Sequence, residues 1–152
     1  MPRGKKQTKI PNWAYYDNPK SRFGMIYADM LKSEQYQRLS VASRQLLTVI
    51  IVHSNTDIAK ECLFNAYTQR KIELGQNADP HNVWTELRDI NNNYFVFPKK
   101  QYEIYGYEKG YVSKYLKELK DNGFISVLQN GKTSRQVSIY KFDTKWKRPP
   151  KN

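Results

Sequence analysis

Apolar and polar positions along the chain set out most of its elements before any other property is consulted. Between residues 108 and 121, Val112, Tyr115, Leu116 and Leu119 recur at i, i+3, i+4 and i+7, the single apolar stripe of an amphipathic helix. The opposite face holds Lys109, Ser113, Lys114, Lys117 and Lys120. Upstream, Ser40 is a good N-cap for a helix ending near Ser54, whose apolar set Ala42, Leu46, Leu47, Val49, Ile50 and Val52 covers more than half its circumference. A helix over 57–75 closes at Gly75, with Ile58, Cys62, Leu63, Ala66, Tyr67 and Leu74 on its apolar face. Another over 81–90 carries Val83, Trp84, Leu87 and Ile90 at helical spacing. Phe95 and Phe97 alternate with Tyr94 and Val96, the period of a strand. Phe23–Tyr27 reads as a short strand, and Ala28–Leu39 as a helix or turn with Met30, Leu31, Tyr36 and Leu39 inward.

The last third of the chain gives these elements a definite order. A strand at 94–97 is followed by a helix opened by Pro98 as its first residue, a turn at Gly106, the lysine-rich helix with Gly123 after it as a C-cap, and a hairpin. Asn130–Gly131 is placed at the hairpin turn, since this pair tolerates positive φ. The basic run Lys132–Thr133–Ser134–Arg135 follows, and Val137, Ile139, Tyr140 and Phe142 return. That order predicts an α+β, mostly helical fold: a winged helix-turn-helix with an N-terminal helical extension and a C-terminal β-hairpin wing. The expected organisation is a basic flexible arm at 1–20, one domain at 21–146 and a basic tail at 147–152. Within the domain, a helical insert spans 55–93, and the helix-turn-helix and wing span 94–142. The insert either covers the core or presents Trp84 to a second subunit.

Charge sharpens this picture. The net charge of the 152 residues is +12, and it is unevenly placed. Residues 1–22 hold six Lys/Arg against one acid, residues 23–106 nine against nine, and residues 107–152 eleven against four. All the excess lies on the arm and on the helix–wing–tail block, a distribution that suits a polyanion. Lys99 and Lys100 sit in the first turn of a helix, against its dipole, where a bound phosphate would reverse the sign of the interaction. Tyr111, Ser113, Lys114 and Lys117 are candidates for base-edge contact. Lys109, Lys132, Thr133 and Arg135 suit the backbone, and Arg3, Lys5 and Lys6 of the arm suit an adjacent minor groove. The bland readings are a solvated lysine face and a solubilising tail.

Other chemistries find little support. There is no GxxxxGK[ST] phosphate loop, and Gly106 and Gly110 lack the spacing of a dinucleotide site. His53 and His81 form no HxH pair, acidic residues occur singly, and Cys62 is alone, so neither a metal nor a disulfide framework is expected. Tyr105, Tyr107 and Tyr111 read as packing residues rather than strand-transfer nucleophiles. No apolar run approaches the length of a membrane span, and Met1–Ile10 lacks the apolar region of a secretion signal. The expectation is a cytoplasmic, non-enzymatic protein without cofactor.

Two blocks, LKSEQYQRLSVASRQLLTVIIV at 31–52 and the segment from Tyr94 to Trp146 with FVFP, YGY, YVSKYLKELKDNGFI and IYKF, resemble winged-helix proteins of Gram-positive plasmids, phages and integrative conjugative elements. The resemblance covers roughly half the chain. Similar domains begin plasmid replication initiators, and similar stand-alone proteins act in plasmid transfer or transcriptional control. It implies double-stranded DNA as partner and contact with replication or transfer machinery, while the spare apolar surface of the 57–75 helix and the Trp84, Leu87 and Ile90 stripe predicts a homodimer, at least on DNA. From the residues alone, a protein-interaction module docking an acidic partner through the same basic surface remains the alternative.

Overall fold

The computed structural model describes residues 24–90, 93–131 and 137–147. Its fold is α+β and mostly helical, with one small three-stranded antiparallel sheet. Two short helices, α1 (Ala28–Lys32) and α2 (Glu34–Arg38), lead into α3 (Val41–His53), α4 (Asp57–Glu73) and α5 (Pro80–Asp89). Strand β1 (Tyr94–Phe95) precedes α6 (Lys99–Tyr102), which runs into a 3-10 turn at Glu103–Tyr105. Then come α7 (Lys109–Asp121), β2 (Ile125–Gln129), β3 (Ile139–Phe142) and a final 3-10 turn at Lys145–Lys147.

The sheet has the order β1-β3-β2, so the last strand lies in the middle. Its register pairs Phe95 with Tyr140 on one side, and Val127 with Tyr140 and Ile125 with Phe142 on the other. The period-2 pattern of the sequence separates two apolar layers. Phe95, Phe97 and Ile125 join Leu46, Leu47 and Ile50 of α3 and Val112, Leu116 and Leu119 of α7 in the larger core. Val96 and Ile139 point the other way and meet Leu63 of α4 with Val83 and Leu87 of α5. The 55–93 segment therefore covers the second face of the sheet. Trp84, stacked on Phe64 at 4.5 Å, is still 52% exposed on the outside of that layer.

Capping follows from residue type. Ser40 accepts from the Ser43 amide, Thr56 from Ala59 and Asp79 from Asn82, each closing one of the free N–H groups of a helix start. Gly106 (φ +81°) ends the 3-10 turn. Gly123 (φ +84°) ends α7, and there a Cβ would lie 2.8 Å from the Trp146 amide nitrogen. Trp146 stacks parallel to Phe124, so the chain beyond the sheet closes the end of the core.

Several sequence expectations are corrected. Residues 24–27 form no strand, and the sheet's third member is β1. Residues 28–39 split into α1 and α2 at Ser33, whose hydroxyl caps α2 through the Tyr36 amide; Leu31 faces solvent. Ile58 on α4 and Leu74 at its C-cap are exposed, because the buried side of the helix is Ala59, Leu63 and Lys71. Pro98 is the N-cap of α6, one residue before its first helical position. Gln129 pairs with Ile139, so Asn130–Gly131 follows directly on β2; a register shift lies between Val127 and Gln129, and residues 132–136 lie outside the described residues.

Candidate nucleic-acid interface

Helix α7 is held from below and on one flank. Val112, Leu116 and Leu119 are buried against the core, and Tyr111 and Tyr115 lie on one side in a row with Tyr107. Tyr107 and Tyr111 stack at 5.2 Å, and Tyr111 meets Tyr115 edge-on at 4.5 Å. Burial, then the neighbouring Tyr111, pushes the Tyr107 phenol above its ordinary range. Tyr111 is thus half-buried within an aromatic row, a restricted position for the base contact that the sequence suggests.

What remains outward is the polar set. Lys109, Ser113, Lys114, Lys117 and Lys120 are all exposed. Lys114 Nζ stands 5.3 Å from the centre of the Tyr115 ring, and Lys117 pairs with Asp121 at 3.4 Å. Such an exposed i,i+4 pair is worth little and opens readily to a stronger anion. Between α7 and the hairpin runs a groove of about 200 Å³, bordered by Ser113, Lys117 and Lys120 on the helix, by Val127 of β2, and by Asn130 and Ser138 just beyond the strand ends. The helix face and the hairpin base therefore form one continuous surface.

Glu118, also on α7, does not join that surface. Its carboxylate accepts from the Ser40 amide at 2.6 Å, the Ser40 hydroxyl at 2.8 Å and the Ser43 hydroxyl at 2.6 Å. Partial desolvation opposes ionisation, but the Ser40 amide and the two hydroxyls outweigh it and hold Glu118 below its ordinary value. One of the few acids of the helix is thereby turned inward onto the N-terminus of α3, whose partial positive charge it meets.

A second polar cluster sits at the other end of α3. Buried His53 is bonded to the Tyr105 hydroxyl at 2.6 Å and to Gln101 Oε1 at 2.7 Å, tying α3 to α6 and its 3-10 extension. Gln101 Oε1 can only accept, so Nε2 of His53 donates to it. A third joins the insert helices. Lys71, only 5% exposed, reaches Glu86 at 2.6 Å, and Tyr67 donates to the same carboxylate. The Lys71 ammonium is the main cause of a lowered Glu86 value, while burial and then Glu86 push the Tyr67 phenol up to about 12. Sequence reasoning found none of these partners. Ser40 is legible as a cap, but Glu118 lies 78 residues away.

Lys99 and Lys100 are exposed on α6, as expected, and Lys99 approaches Glu103 at 3.7 Å. Arg3, Lys5, Lys6, Lys132, Thr133 and Arg135 lie outside the described residues. Burial raises the Cys62 thiol, which leaves it little thiolate character. Among the described residues, no group of three or more His, Cys, Asp or Glu could hold a metal ion, and no helix is long and apolar enough to cross a membrane. Comparison with protein-family models, with curated proteins and with solved structures gives no match to this chain.

Proposed function

We propose that this protein is a winged-helix DNA-binding protein that recognises a duplex through α7 and the adjoining hairpin. The observation that carries this reading is the division of α7. Its apolar stripe is buried, its acid Glu118 is turned onto α3, and the face left to solvent presents five lysine or serine side chains beside the hairpin groove. A helix held from below and open on a cationic face fits the major groove, with a hairpin alongside for flanking phosphates. The α6–Gly106–α7 order and the three-stranded sheet support the winged-helix assignment. Lys114 and Lys117 are base-edge candidates; Lys99, Lys100, Lys109 and the loop at 132–135 serve the backbone. Replication, conjugative transfer or transcriptional control of a mobile element is the biological setting that the sequence resemblance suggests.

The test is binding of a labelled duplex across a salt series. Affinity should fall steeply and linearly on logarithmic axes, because each neutralised phosphate releases counterions. Affinity independent of salt would return the basic surface to some other role.

A further inference from the structure

From this reading of α7 we infer that Gly110 is the point of closest approach to the duplex, a contact made by the bare backbone rather than by a side chain. Gly110, the second residue of α7, is the one glycine within a helix among the described residues, and glycine lowers helix propensity relative to alanine. Gly24 has a reason inside the fold: a Cβ there would meet Ile51 Cγ2 at 2.8 Å. Gly123 has two, a positive φ and a Cβ position crowded by Lys145 and Trp146. Gly110 has neither. Its φ is not in the left-handed region, and a Cβ built on it meets no atom within 4 Å.

The position of Gly110 supplies the missing reason. Lys114 and Lys117 follow it at i+4 and i+7, so the three make one stripe opposite buried Val112, Leu116 and Leu119. That stripe is the centre of the face assigned to DNA. Two long cationic side chains occupy its later turns, and at its beginning there is no side chain at all. Absence of a Cβ lets a partner's atoms come to the helix backbone itself, the use of glycine wherever main chain closely approaches a ligand. The partner here is the sugar–phosphate or base edge of a duplex seated against α7, and Gly110 sets how deeply the helix sits in the groove.

Gly110→Ala and Gly110→Gln test this beside Lys114→Ala, with thermal melting and duplex titration on each. Because both glycine replacements suit a solvent-facing helix, their melting temperatures should equal or exceed the parent's. Duplex affinity should nevertheless fall, on the order of tenfold for alanine, the scale of one disrupted base-pair contact, and further for glutamine. If Lys114→Ala weakens binding and both Gly110 variants bind like the parent, the close approach is wrong while the DNA reading stands. If the parent protein shows no salt-dependent duplex binding, the reading beneath this inference falls and takes it along. A lowered melting temperature in Gly110→Ala would reveal an internal need for glycine and overturn the inference as well.

Discussion

Glu118 is the residue on which two helices depend at once. Its carboxylate receives three hydrogen bonds at the start of α3 while its backbone belongs to α7. Removing it leaves the buried Ser43 hydroxyl without its acceptor and opens the exposed Ser40 bonds to water, so Glu118→Ala should destabilise the fold by about 1 kcal/mol, read by denaturant unfolding. The pH dependence has a definite sign. A carboxylate held below its ordinary value of 4.5 in the folded state contributes stability above that value and loses it as pH falls through the folded one. Thermal melts in the acid range should therefore fall less steeply for Glu118→Gln than for the parent. Lys114 and Lys117 make no comparable internal contact. Replacing either by alanine should leave circular dichroism unchanged and cost about 1–3 kcal/mol of duplex affinity if both reach base edges. Parent-like affinity in both variants would remove α7 from the interface.

At the level of elements, the strongest sequence signals are those with both a period and a stop. The α7 stripe ends at Gly123, and the α3 run begins at the Ser40 cap; the structure starts and ends both helices within a residue or two of those marks. The 94–97 alternation gives the sidedness of two apolar layers although only Tyr94 and Phe95 pair as strand. Legibility fails where a partner is distant or a side chain has two natures. Lys71 reads as surface, yet its stem is buried and its ammonium finds Glu86. The alternation of the hairpin strands gives no hint of the register shift between Val127 and Gln129. On α7, the exposed lysine face is legible from spacing alone, whereas the inward turn of Glu118 requires the fold. Gly123→Ala, which must force a Cβ against the Trp146 backbone at positive φ, should destabilise by more than about 1 kcal/mol. Deleting residues 1–9 tests the arm: if Arg3, Lys5, Lys6 and Lys9 contact phosphates, the salt slope should flatten by about 0.9 per lost contact, with the melting temperature unmoved.

For the molecule as a whole, the insert layer packs on the sheet and presents on its outer side the exposed Trp84, stacked on half-buried Phe64. Residues 55–93 carry six acids against four Lys/Arg, so this side escapes the positive charge that would keep two copies apart elsewhere. A homodimer formed there on paired half-sites should give two protomers per operator in sedimentation. Trp84→Ala should weaken that assembly more than it lowers the melting temperature. A single protomer on an operator long enough for two would count against the dimer.

The strand order carries one more consequence, for the chain during synthesis. β3 lies between β1 and β2, so a nascent chain that has emerged only as far as Gln129 possesses two strands with nothing to join them. By then the acceptor that caps α3 is already available, and the helices can collapse around their shared apolar residues. Both faces of the sheet, however, wait for Ile139 and Tyr140. Until β3 has emerged, the edges of β1 and β2 that it pairs with stay open, the stage at which a chaperone would find something to hold. Stalled chains in which residue 130 is followed by a tunnel-length linker should be protease-sensitive across 94–129, and chains in which the same linker follows Lys147 should not.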